Sequence, residues 1–194
     1  GAVTYTLKGT EWNGTGSGIA ASFQFEQTEN RIRMEMGKAE TGSGNAAMQN
    51  AGEAVYTVSG TAVLFDMTAY ITRLKNTTTA QYQQSEINWL KGLITKTEED
   101  IHKTTDPDEK KGLEQNLQMY KQWLQDTKNP TPEKLQYWQK DVEKDKKRAA
   151  ALEAHAKFNG TLSSDGKSMM VATLPYFDRS TGTVTLVSLT VTKR

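Results

Sequence analysis

Glu99-Asp100-Ile101-His102 sets a carboxylate and an imidazole three residues apart, an offset that puts both on one face of a helix. Di-metal carboxylate bundles use this E-x-x-H spacing twice, together with further inward Glu residues. The only other histidine is His155, and its neighbour Glu153 is at the wrong helical offset. Glu98, Glu99 and Asp100 run consecutively and so fan around the helix. The ligand set is incomplete, and these residues read as a solvated face with no metal. The chain has no cysteine, which removes disulfides, zinc–thiolate sites and thiol nucleophiles.

Other spacings that could carry chemistry also fall short. Gly166-Lys167-Ser168 matches the end of a phosphate-binding loop, but the required earlier glycine is Thr161. The residues that follow, Met169-Met170-Val171, suit a strand, whereas such a loop must open a helix. Gly14, Gly16 and Gly18 have dinucleotide-loop spacing, yet a strand pattern follows and a β-turn is the simpler reading. No serine sits in G-x-S-x-G. Catalysis would therefore have to come from carboxylates dispersed along the chain. No catalytic residue and no cofactor is assigned.

Trp89, Trp123 and Trp138 are three of the four tryptophans, and all fall in one charged block. Trp138 lies on an apolar helical stripe. Trp89 and Trp123 lie beside theirs. They can pack between helices or form an exposed contact surface for a protein partner, a role in which tryptophan is favoured.

These residues sit in a chain whose composition changes twice. Residues 1–78 and 157–194 are rich in Gly, Thr and alternating apolar positions, and residues 79–156 are rich in Lys, Glu, Gln and Leu. Long blocks rather than rapid alternation indicate α+β, with a helical insertion in a β domain. In the first block, Val3–Leu7, Ile19–Glu26, Arg31–Met36, Ala54–Val58 and Ala62–Met67 have strand character, with a long loop over 37–52. In the last block, Phe158–Leu162 and Met169–Leu174 flank Ser164-Asp165-Gly166-Lys167, a hairpin signal. Thr183–Thr192 is a final strand whose apolar phase changes near Leu186-Val187, which predicts a bulge or burial on both faces. About eight strands result, enough to close an antiparallel meander barrel.

The middle block predicts three antiparallel helices, with stripes Ile87/Leu90/Ile94/Ile101, Leu113/Leu117/Tyr120/Leu124 and Leu135/Trp138/Val142/Ala149/Leu152/Ala156. Asp106-Pro107 and Thr131-Pro132 mark two helix starts. Basic and acidic residues balance in this block and in the whole chain, where Lys and Arg total 24 and Asp and Glu 23. That balance argues against a nucleic-acid partner. No apolar run reaches the roughly 18 residues of a membrane span.

Leu7-Lys8-Gly9-Thr10-Glu11-Trp12, the meander from Ile19, Tyr56-Thr57-Val58-Ser59-Gly60 and Phe158-Asn159-Gly160-Thr161-Leu162 resemble the lipocalin-like, or calycin, barrels, particularly the small exported bacterial ones. The resemblance covers about residues 3–75 and 157–194. The G-x-W signature of that family is here Gly9 and Trp12, with two residues between, and the helical insertion lies outside the pattern. Lys193 or Arg194 would be the basic residue covering the tryptophan.

The resemblance implies either a packed core or an apolar cavity in the barrel, lined by Phe23, Phe25, Ile32, Met34, Tyr56, Val58, Phe65 and Met67. It implies an exported, non-enzymatic binding module, with a small apolar ligand if the barrel is hollow and a cleaved or lipid-anchored leader ahead of the domain. The alternatives are a scaffold that contacts a protein through the helical block, or an enzyme with dispersed carboxylates. The lack of cysteine fits an exported protein and a bacterial cytoplasm equally.

Overall fold

The half-wet alternation of residues 31–36 becomes a strand with Ile32, Met34 and Met36 buried and Arg33 and Glu35 exposed. It is one of eight in the computed structural model of the chain, which describes residues 5–39 and 47–194. The strands are β1 (Glu11–Gly16), β2 (Ile19–Phe25), β3 (Arg31–Lys38), β4 (Gln49–Ser59), β5 (Ala62–Asp66), β6 (Lys157–Leu162), β7 (Ser168–Asp178) and β8 (Thr183–Lys193). Each pairs antiparallel with the next, and β8 pairs with β1, so the sheet closes as a barrel. Closure leaves no free edge for another chain to extend.

Several local expectations change. Of the opening strand Val3–Leu7, Val3 and Thr4 lie outside the described residues, and Tyr5–Leu7 are not in a strand, although Leu7 is buried in the core. Gly14 and Gly16 belong to β1 rather than to a turn. A Cβ at Gly14 would lie 1.9 Å from the Thr190 carbonyl oxygen, so β8 approaches too closely for a side chain. Of the expected 37–52 loop, residues 40–46 lie outside the described residues, while β4 already begins at Gln49. The irregularity expected in the last strand sits in its partner, where the β7–β8 register shifts between Val171 and Leu174.

Among the described residues there are four α-helices: α1 (Thr68–Lys75), which lies before the middle block, and α2 (Thr79–Lys103), α3 (Pro107–Lys128) and α4 (Pro132–Leu152) within it, followed by a 3₁₀ turn at Glu153–His155. α1 was hidden because it is short, rich in β-branched residues and has no side-chain N-cap. The other starts are capped as their sequences dictate. Thr78 and Gln81 form a reciprocal capping box, Asp106 accepts from the Asp108 N–H with Pro107 in the first turn, and Thr131 accepts from the Lys134 N–H.

The chain divides into two compact units, Gly1–Asn76 with Lys146–Arg194, and Thr77–Asp145. The composition changes at 156 and the structure divides at 145, because Ala149 and Leu152 are buried in the core of the barrel unit. The helical unit has its own buried residues: Ile87 and Leu90 from α2, Leu117 from α3, and Trp138 and Val142 from α4. Polar ties accompany them. Gln83 donates to the Thr127 carbonyl at 3.0 Å, Tyr82 donates to Asp145, and Lys134 pairs with Glu86. Among the described residues, no helix is long and apolar enough to cross a membrane.

Candidate functional site

Two places were expected to matter: the barrel interior and the tryptophans of the helical unit. Seven of the eight predicted interior residues are buried, and Phe23, Ile32 and Phe65 expose no surface at all. Zero exposure means that a water-sized sphere finds no space against those side chains. Phe65 stands at the centre. Its ring stacks on Phe158 at 4.9 Å and meets Phe23, Phe25 and Tyr56 at 5.9, 6.3 and 6.5 Å. Phe25 meets Tyr56 edge-on at 5.0 Å. These separations are those of packed aromatic pairs.

The packing extends to β6 and β7. A Cβ at Gly160 would lie 2.4 Å from the Met169 sulfur, so the methionine occupies the space that a side chain there would need. The barrel is thus filled in this region by its own side chains. Burial also pushes the Tyr56 hydroxyl above its ordinary pKa and keeps it neutral.

Val58 corrects the expectation for the eighth residue. It pairs with Val63 and keeps the phase of Tyr56, but it lies next to the turn after Ser59 and stays 42 % exposed. Alternation assigns a face, not depth, and the last rung of a strand runs out into solvent. The core also contains Trp12, Phe158, Met169, Val171, Leu174 and Val191, none of them among the predicted lining residues. The alternation of Val187, Leu189 and Val191 was the signal for that wall. Trp12 is fully buried and its indole N–H donates to the Thr10 hydroxyl at 2.8 Å. Lys193 lies opposite it in the β1–β8 register, and Arg194 pairs with Glu11.

In the helical unit, Trp89 and Trp123 come together from α2 and α3 to line one surface groove of about 420 Å³. Trp89 is 60 % exposed and Trp123 is 42 % exposed, so neither is consumed by packing between helices. The positions follow from the helical repeat: each precedes a stripe residue, Leu90 or Leu124, and is turned toward the edge of the apolar face. Glu86 and Lys134, joined at 3.1 Å, form part of the same groove, as does Asp126. The Lys134 ammonium lies 5.5 Å from the Tyr137 ring and 5.4 Å from the Trp138 ring. The Tyr120 ring meets Trp123 at 5.6 Å. The groove therefore combines flat apolar surface with a charged, partly neutralised border.

Glu98, Glu99 and His102 lie on an exposed helix surface. Among the described residues, no group of three His, Asp or Glu side chains gathers as a metal site would require. Among the described residues, four carboxylates are held below their ordinary pKa. Arg31 does this to Glu26, the Thr68 hydroxyl to Asp66, the Ser163 hydroxyl to Asp165, and the Ser180 hydroxyl, with Lys38, to Asp178. A general acid needs the opposite shift. No family model, curated protein or solved structure matches the chain.

Proposed function

We propose that this chain is a non-enzymatic interaction protein, in which a lipocalin-like barrel serves as a packed platform and the helical unit binds a protein partner. The observation that carries the reading is the pairing of Trp89 and Trp123 in one groove, both substantially exposed. Tryptophan supplies much contact area with few rotatable bonds and is enriched where binding energy concentrates. A charged border around an apolar centre is the usual anatomy of a protein interface. The filled interior supports the platform role, because an apolar guest could enter only if Phe65 and its neighbours moved. The resemblance to the small exported bacterial barrels supports an exported location.

The test replaces residues 77–145 with a short Gly-Ser linker. The splice is local, since Lys146 donates to the Lys75 carbonyl at 3.0 Å. Cross-linking and affinity capture of the full chain should identify a stoichiometric partner that the shortened chain fails to bind. A partner retained by the shortened chain contradicts the proposal. So does an apolar small molecule found at one-to-one stoichiometry in native mass spectra of the purified protein.

A further inference from the structure

The groove of the helical unit carries two tryptophan–carboxylate pairs at helical spacing. Glu86 and Trp89 are three residues apart on α2, and Trp123 and Asp126 are three apart on α3, so each carboxylate shares a helix face with its ring. All four residues line the same groove, which lies wholly within the helical unit. One of the two carboxylates already has a cation. Glu86 pairs with Lys134 at 3.1 Å, and the Lys134 ammonium also lies over the Trp138 and Tyr137 rings, 5.4 and 5.5 Å from their centres. A carboxylate and aromatic rings thus hold an ammonium together, and the rings add to the attraction through their negative faces.

The second pair has the same ingredients and no cation. Asp126 Oδ1 accepts from the side-chain amide of Gln122 at 3.0 Å, a neutral donor. Among the described residues Asp126 forms no ion pair, and no Lys or Arg lies over the Trp89 or Trp123 ring. The residues outside them, 1–4 and 40–46, include no Lys, Arg or His. The groove lining therefore carries two negative charges and one positive, and the uncompensated charge is on the Trp123 side. The parts are also held in place before a partner arrives. Gln122 fixes the Asp126 carboxylate from one helical turn away, and the Tyr120 ring packs against Trp123 at 5.6 Å. Groups ordered in advance lose less freedom on binding.

We infer that the groove takes an arginine side chain of the protein partner, with its guanidinium against the Trp89 and Trp123 rings and paired with Asp126. The inference rests on the proposed function and names the group that the partner supplies. A guanidinium is planar, stacks on an indole face and offers a carboxylate two N–H groups at once. It is also more weakly hydrated than an ammonium, so it loses less water on entering a partly apolar groove. A partner that presented a carboxylate here would meet Asp126 with like charge. The rest of the exposed indole surface is apolar and suits a leucine beside the arginine.

The test is a ¹H–¹⁵N NMR titration of the full chain with the peptide acetyl-Leu-Arg-Leu-amide, read at the indole N–H signals. The same peptide with citrulline in place of arginine keeps the shape and loses the charge, and a lysine version keeps the charge and loses the fork. The arginine peptide should shift the Trp89 and Trp123 indole signals saturably, with a Kd on the order of 1 mM, and leave those of Trp12 and Trp138 in place. The citrulline peptide should bind about tenfold more weakly or worse, and the lysine peptide should fall between. Asp126→Asn can still accept from Gln122 and should weaken the arginine peptide by about threefold or more, the range of an exposed ion pair. Glu114→Gln removes the same charge from α3 outside the groove and should leave binding unchanged. The inference is overturned by non-saturating shifts with the arginine peptide, by the citrulline or lysine peptide binding as tightly, or by Asp126→Asn binding as well as the parent. Its failure is distinct from that of the proposed function. A captured partner that needs Trp89 and Trp123 but binds the Asp126→Asn chain as tightly as the parent removes the arginine and leaves the partner. A captured partner that binds without either tryptophan removes the proposed function itself.

Discussion

Phe65 and Phe158 face each other in antiparallel register with their rings stacked at 4.9 Å, although α1, α2, α3 and α4 all lie between them in the chain. The chain leaves the barrel after β5 and re-enters it at the neighbouring strand β6. No strand of the barrel is contributed by the helical unit. This arrangement lets the barrel close as a simple meander while carrying a second folded unit.

Phe65→Ala should destabilise the protein by about 3–5 kcal/mol, the cost of truncating a fully buried aromatic ring that cannot be replaced by water. Urea denaturation of the variant beside the parent measures this. A loss below about 1 kcal/mol would mean that the interior is loose enough to collapse around the gap, and the barrel could then admit a guest.

Gly52→Ala should cost about 1–3 kcal/mol through the strained positive φ alone. The added Cβ would also lie 2.4 Å from the Tyr70 ring and so displace it. Thermal unfolding should show the loss, and the Tyr70 signals in NMR spectra should shift. A variant as stable as the parent, with Tyr70 undisturbed, would contradict this close approach of Gly52 to the Tyr70 ring.

How much of this was legible in the sequence varies from element to element. Residues 31–36 and the Asp165-Gly166 hairpin announce themselves through period and turn chemistry, and Asp106-Pro107 and Thr131-Pro132 through capping. α1 does not, because Thr68, Ile71 and Thr72 favour extended backbone and only the packing of Tyr70 and Ile71 on the barrel core makes the helix worthwhile. Val58 reads as an interior residue because periodicity knows nothing of where a strand ends. Trp89 and Trp123 were each legible as off-stripe residues, but that they share a groove depends on how α2 and α3 pair.

Asp178 is held at a pKa of about 2, below its ordinary 3.8, first by the Ser180 hydroxyl and then by the Ser180 N–H and Lys38. Its folded pKa is depressed, so its contribution to stability is complete above about pH 4 and is lost as the pH falls through about 2. Asp178→Asn should therefore be less stable than the parent by a constant amount above that window, and the gap should close across it. Denaturation curves from pH 2 to 6 check this. A gap that persists unchanged at pH 2 would show that the carboxylate charge is not what the turn uses.

The four tryptophans should behave as two pairs. Trp12 and Trp138 are buried, whereas Trp89 and Trp123 are exposed. Iodide should quench part of the fluorescence and leave the rest, giving a downward-curving Stern–Volmer plot. The double substitution Trp89→Phe with Trp123→Phe should abolish the quenchable part. Uniform quenching in the parent would contradict the assigned exposures.

The most direct test of the interaction reading is partner binding by the double variant Trp89→Ala with Trp123→Ala. Both side chains are exposed, so the fold should survive with stability changed by about 0.5 kcal/mol or less at each site. Binding measured by calorimetry against the partner captured with the parent should weaken by at least about a hundredfold, as expected when two residues of a binding hot spot are removed. A folded double variant that binds that partner as tightly as the parent would contradict the account.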